Sequence, residues 1–198
     1  IAAANETVWV EKTNDYFPKG SYAFDENGHM IIPSELMKNG VVDGYYYVDN
    51  IRTEAGLVEF EGNYYYAATG GKILTSQSMW ISDTNDLLPA GTYRFDENGK
   101  AIMTTGLVEE DGKLNYYEDG RLAEGKGLIK VGEDYYYIGE DGAAVTDTMQ
   151  KVTDDKTNDL LDAGSYRFGE DGKAILTTEL VDMDGTLNYF EDGRLAEG

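Results

Sequence analysis

GLIKVGEDYYYIGEDGAAVTD, residues 127–147, sets three tyrosines in a row between two turns of glycine and acid. A second triple is Tyr64, Tyr65 and Tyr66, and a third is Tyr45, Tyr46 and Tyr47, so nine of the sixteen tyrosines stand in runs. Side chains alternate along a strand. Tyr135 and Tyr137 therefore share one face of a predicted strand, and Tyr136 takes the other. One set must pack between successive hairpins, where a buried ring supplies apolar area and edge-to-face contacts. The other set is free to be the planar surface on which the apolar face of a sugar stacks. Alternation tells which rings share a face, not which face is wet.

The surrounding sequence repeats. GTYRFDENGKAIMTTGLVEEDGKLNYYEDGRLAEG, from Gly91, returns as GSYRFGEDGKAILTTELVDMDGTLNYFEDGRLAEG, from Gly164, and GSYAFDENGHMIIPSEL, from Gly20, is a looser copy. The spacing is nearly constant: Phe24 recurs as Phe95 and again as Phe168, and Tyr64 recurs as Tyr135. Each period holds one long unit and two short ones. The third period stops after its first short unit, Glu197-Gly198 matching Glu124-Gly125, so the sequence reads as a segment of a longer array. Three repeat modules are expected, at residues 1–77, 78–148 and 149–198, the last truncated.

Within the short units Asp43-Gly44, Glu61-Gly62, Asp111-Gly112 and Asp184-Gly185 separate apolar-rich runs. An acid followed by glycine suits a type I′ hairpin turn, which needs positive φ at both central residues. Tyrosine, valine and isoleucine suit a pleated, half-buried surface. No extended stretch follows the helical period, so helices should be short or absent. A lone hairpin of this length cannot bury enough surface to be stable, whereas stacked ones can. The expectation is an all-β chain, an elongated solenoid of stacked β-hairpin repeats.

Charge narrows the partners. Thirty-eight acidic against sixteen basic residues give a net charge of −22 over 198 residues. Such a field repels phosphate backbones and anionic lipid, which argues against nucleic acid and membrane surfaces as partners. No apolar run reaches the roughly 18 residues of a membrane span, so membrane insertion is not expected. Cysteine is absent, which removes disulfides, thiolate metal sites and cysteine nucleophiles.

No catalytic residue, metal ligand or cofactor site is predicted. His29, the sole histidine, lies in the turn DENGHM, where the other periods carry Lys100 and Lys173. Paired acids such as Asp96-Glu97, Glu118-Asp119 and Glu140-Asp141 fall at predicted hairpin tips, where solvent keeps them ionised and they protect sheet edges. A glycosidase needs one carboxyl with a pKa raised by burial. SDTND, from Ser82, and DDKTND, from Asp154, offer oxygens to calcium, and Asx turns account for the same residues equally well.

GLVEFEGNYYYAATGGKILT, residues 56–75, resembles the cell-wall-binding repeat family, the repeats of choline-binding modules, streptococcal glucan-binding domains and the terminal arrays of large clostridial toxins. The resemblance spans nearly the whole chain. It implies a β-hairpin solenoid on a secreted or wall-attached bacterial protein, binding a glycan or wall polymer beside a separate effector domain. Choline-binding repeats open Gly-Trp and carry Trp-Tyr-Tyr. Here Leu57, Leu107 and Leu128 stand at the first position and Tyr64 and Tyr135 at the second, so the Leu-type repeats of toxins and glucan binders are the nearer likeness. The reading is a non-catalytic cell-wall or glycan-binding module, with Tyr64, Tyr66, Tyr135 and Tyr137 as the ligand-binding candidates. A ligand-free stalk, spacing another domain from the surface, is the alternative.

Overall fold

The computed structural model describes residues 4–14, 17–32 and 37–196. They form short antiparallel strands, and the helical pieces described are single 3-10 turns at Thr69–Gly71 and Asp154–Lys156. The hairpin turns follow from the local sequence. Asp43-Gly44, Glu61-Gly62, Asp111-Gly112 and Asp184-Gly185 all have positive φ at both residues, as a type I′ turn requires. The hairpin of the opening quotation turns instead on Gly132-Glu133, where Gly132 alone has positive φ.

In the short hairpins Gly56–Phe60 pairs with Asn63–Ala67, and Gly127–Val131 with Asp134–Ile138. In the long units Gln77–Ile81 pairs with Gly91–Phe95, and Thr148–Val152 with Gly164–Phe168. The two five-stranded sheets repeat one topology. In the second period the spatial order is Gly106–Glu110, Lys113–Glu118, Arg121–Leu122, Gly91–Phe95, Gln77–Ile81, and the third period builds its counterpart from Glu179–Met183 to Thr148–Val152 in the same order.

The chain divides into two compact units. One gathers Ile1–Thr75 with Asp83–Leu88 and Glu97–Lys100; the other gathers Ser76–Ser82, Pro89–Asp96 and Ala101–Gly198. The loop Asp83–Leu88 joins the first unit because the amide of Asn85 donates to the carbonyls of Ala55 and Leu57, both at 2.8 Å. One period on, Asn158 makes the same clasp in the second unit, to Lys126 at 2.8 Å and Leu128 at 2.7 Å. Both asparagines and the aspartates that follow them have positive φ, a conformation Asn and Asp tolerate better than most residues. SDTND and DDKTND thus each supply an asparagine that clasps the preceding short hairpin. Among the described residues no three acidic or histidine side chains come together as a metal site.

Each core is small and local. In the first unit Val58, Tyr65, Ala67 and Ile73 are buried together, with Val41, Tyr46, Ala55 and Phe60 packed against them. In the second unit their counterparts in the next period, Ile129, Tyr136, Ile138 and Ala144, form the same cluster, covered by Leu107, Leu114, Tyr116 and Val131. A further cluster joins Leu128 and Val152 to Tyr166 and Phe168. Close approach of strands demands glycine at Gly71, where φ is +73° and a Cβ would lie 2.8 Å from both Thr53 N and Tyr46 O. The buried tyrosines of the long units close their own loops: Tyr93 donates to the carbonyl of Pro89 at 2.7 Å and Tyr166 to that of Asp162 at 2.9 Å, while Tyr22 does the same to Pro18.

Candidate functional site

The central tyrosine of each well-formed triple is the structural one. Tyr65 is 6% exposed and Tyr136 7%. The flanking rings, Tyr64 with Tyr66 and Tyr135 with Tyr137, lie half-buried on the opposite face. Register distinguishes the two members of each pair. Tyr64 stands across from Glu59 and Tyr135 across from Lys130, near the turn. Tyr66 and Tyr137 stand across from Leu57 and Leu128, which are buried. Tyr137 also packs on the long-unit core, its ring 6.4 Å from that of Phe168 and tilted by 58°. Tyr64 and Tyr135 are therefore the outboard rings, Tyr66 and Tyr137 the inboard ones. Tyr135 has the ammonium of Lys130 5.3 Å from its centroid.

The first triple obeys a different register. Val42 pairs with Tyr45 directly across the turn, whereas Asn63 and Asp134 hold that place in the later hairpins. A shift of a single place exchanges the faces of a strand. Tyr47, the last of its triple, is accordingly the buried one, and Tyr45 and Tyr46 are half-buried. Tyr47 lines a cavity of about 820 Å³ with Asn14, Phe17, Lys38, Asn50 and Arg52. The buried amide nitrogen of Asn50 has no hydrogen-bond partner there.

Arginine covers several of the remaining aromatic faces. The guanidinium of Arg52 lies 3.7 Å from the centroid of Tyr45, that of Arg94 4.2 Å from Tyr117, and that of Arg167 4.6 Å from Phe190. Tyr117 donates to Glu110 at 2.7 Å, and Arg94 stands 3.6 Å from the same carboxylate. Burial, reinforced by that carboxylate, pushes the Tyr117 hydroxyl up to about 12. A ligand cation seeking these rings would meet a resident one. Sequence reading passed over these arginines, although TYRF and SYRF carry Arg94 and Arg167 at the same place in successive periods. It also gave no role to Trp9 and Trp80, which the structure leaves 61% and 54% exposed.

The carboxyls with displaced titration move downward. Lys113 donates to Asp141, backbone N–H groups reach Asp25, and Trp9 and Lys19 donate to Glu11, each favouring the ionised form. His29 is exposed in its turn, 3.5 Å from Asp25.

No family model matches the sequence. Glucosyltransferase-I of Streptococcus downei is 26% identical over 203 residues, covering 98% of this chain and 11% of that protein. Glucosyltransferase-S of Streptococcus mutans serotype c is 26% identical over 183 residues, covering 91% of this chain and 11% of its own. The chain thus spans about a tenth of the length of these relatives. Among solved structures, choline-binding protein F of Streptococcus pneumoniae has a TM-score of 0.47 at 22% identity, covering 91% of this chain and 58% of that one. CbpJ of the same species has a TM-score of 0.49 at 18% identity, covering 96% and 64%. The two glucosyltransferases and the two choline-binding proteins are proteins that this chain resembles at low identity. Among the described residues no helix is long and apolar enough to cross a membrane.

Proposed function

We propose that this chain is a non-catalytic glycan-binding module that holds a secreted or surface-attached bacterial protein on a cell-wall polymer or glucan. The observation that carries the reading is the division of labour within the triples. Tyr65 and Tyr136 supply the core, so Tyr64, Tyr66, Tyr135 and Tyr137 are left on the opposite face as partly open rings. Rings of this kind stack on the apolar face of a sugar, and they recur between the proposed modules 1–77 and 78–148, Tyr64 and Tyr66 returning as Tyr135 and Tyr137; the truncated module 149–198 carries no such triple. The likeness to two glucosyltransferases supports a glucan among the candidate polymers. Resident arginines on Tyr45, Tyr117 and Phe190 favour a neutral saccharide over an organic cation. The downward displacement of Glu11, Asp25 and Asp141 suits acceptors and surface charge; a glycosidase acid needs the reverse.

Co-sedimentation of the purified chain with insoluble glucan and with bacterial wall fractions tests the reading. The expected result is retention of the chain in the pellet without release of reducing sugar. Failure to sediment with any of these polymers would leave the tyrosines as packing alone and favour the stalk. Sugar release abolished by one carboxylate substitution would make the chain an enzyme.

A further inference from the structure

In the second and third periods the short strand after the hairpin is joined to the long unit before it. Arg121–Leu122 pairs with Gly91–Phe95 through Arg121 and Tyr93, and Arg194–Leu195 pairs with Gly164–Phe168 through Arg194 and Tyr166. The arginine side chains seal the joint. Arg121 lies on Gly91, and Arg194 on Gly164, so closely that a Cβ on either glycine would stand 2.6 Å from the arginine methylenes. A second arginine in each period, Arg94 or Arg167, covers Tyr117 or Phe190.

The first period lacks both arginines. Val48-Asp49-Asn50-Ile51 takes the place of Glu118-Asp119-Gly120-Arg121 and of Glu191-Asp192-Gly193-Arg194. Backbone bonds fix the equivalence: the Asn50 N–H donates to Lys38 O at 3.0 Å, as Gly120 does to Thr104 and Gly193 to Thr177. Ile51 therefore stands for Arg121, and it is 69% exposed. Ala23 stands for Arg94, in GSYAF against GTYRF, and Tyr47 stands for Tyr117. Among the described residues Gly20–Phe24 and Ile51–Arg52 lie in separate three-stranded sheets, and the ring that approaches Gly20 is that of Tyr22. The cavity of about 820 Å³ is lined by Tyr47, Ile51 and Arg52, the counterparts of Tyr117, Arg121 and Leu122.

A volume of this size accepts a sugar. Phe17, Ile32 and Ile51 join Tyr47 as its apolar and aromatic wall. Its charge runs against that of the chain, since Lys38 and Arg52 face the carboxylate of Asp49 in a protein of net charge −22. Both cations lie toward Tyr47, the Lys38 ammonium 5.2 Å and the Arg52 guanidinium 5.9 Å from its centroid, so a ligand cation is repelled. Asn50 adds a buried amide nitrogen without a hydrogen-bond partner, where the later periods have glycine. Two cations and an unsatisfied donor call for a charged acceptor.

We infer that this cavity binds a sugar bearing a carboxylate, with the ring against Tyr47 and Phe17 and the carboxylate held by Lys38, Arg52 and the Asn50 amide. The site belongs to the first period alone. It stands whether or not the repeated tyrosines hold a neutral glucan.

Calorimetric titration of the full chain with glucuronate, glucose and acetate tests it, at physiological ionic strength, where the negative field of the chain is screened. Glucuronate should bind more tightly than glucose or acetate by roughly tenfold or more, the worth of one charge-assisted hydrogen bond. Lys38→Gln with Arg52→Gln should abolish that preference. Should the double variant melt early, Lys38→Gln alone serves, because this side chain is 40% exposed and its ion pair to Asp43 lies at the surface. Asn50→Gly should weaken glucuronate binding several-fold and keep the fold, since φ is +66° there and glycine adopts that conformation readily. Absence of glucuronate binding overturns the inference, as does equal affinity for glucuronate and either of the other probes. A preference for glucuronate that survives loss of the cations also overturns it, because the acid would then be held elsewhere on the chain.

Discussion

Replacing Tyr136 by alanine separates the two faces of a triple most sharply. Its ring is 7% exposed and touches the cluster of Ile129, Ile138 and Ala144. Truncation removes roughly 150 Å² of buried surface, about 4 kcal/mol at ~25 cal/mol per Å², within the ~3–5 kcal/mol range for aromatic truncations in cores. At roughly 2–4 °C per kcal/mol the melting temperature falls by about 8–16 °C. Tyr135→Ala is the matched control. Its ring lies half-buried on the other face beside Lys130, so the change costs about 1 kcal/mol or less. Thermal melts followed by near-ultraviolet circular dichroism give both values. Equal losses in the two variants, or a harmless Tyr136→Ala, would refute the assignment of core and open faces.

Asn158→Ala removes two hydrogen bonds to the Gly127–Val131 hairpin and its approach, and should cost about 1–3 kcal/mol in a urea titration. Added calcium should leave the melting temperature of the parent unchanged. Tyr117 titrates late, its pKa pushed from 10.0 to about 12. The folded state therefore holds its proton longer than the unfolded one. That contribution to stability is complete below pH 10 and declines as pH rises toward 12, which chemical denaturation across the alkaline range will record. Tyr117→Phe should flatten that decline. Choline should not elute the chain from glucan, because guanidinium groups already sit on Tyr45, Tyr117 and Phe190. Elution by choline would place the ligand on a free aromatic cage.

Much of the fold was legible because hairpins are specified locally. Asp-Gly and Glu-Gly turns, the alternation within the tyrosine runs and the absence of a helical period each act over a short span of chain. They give strands where the structure has them. The wet face was not legible, since alternation is symmetric and only the neighbouring hairpin decides which side is covered. Nor was the slip of Tyr45–Tyr47 by one place relative to its turn. The three triples look alike as strings, yet the missing residue before Tyr45 makes Tyr47, not Tyr46, the buried ring. The clasp of Asn85 and Asn158 was hidden for a different reason. Their partners lie far back in the chain, in the preceding short hairpin, and a local reading sees an Asx turn or a calcium loop equally well. Arg94 and Arg167 were overlooked because the ring each one covers comes from a strand formed later in the sequence.

The claim that repeated tyrosine faces act together on a repeating polymer is tested most directly by the dependence of affinity on ligand length. Dissociation constants of the full chain for a short oligosaccharide and for the long polymer of the same sugar are compared in one titration format. Several shallow sites on one polymer gain from effective concentration, so the long polymer should bind more tightly by roughly 10²–10⁴-fold. The advantage should fall in a variant carrying Tyr64→Ala and Tyr135→Ala, with little change in its melting temperature. Affinity per site that is the same for the short and long ligands, or a polymer affinity indifferent to both substitutions, would contradict the account.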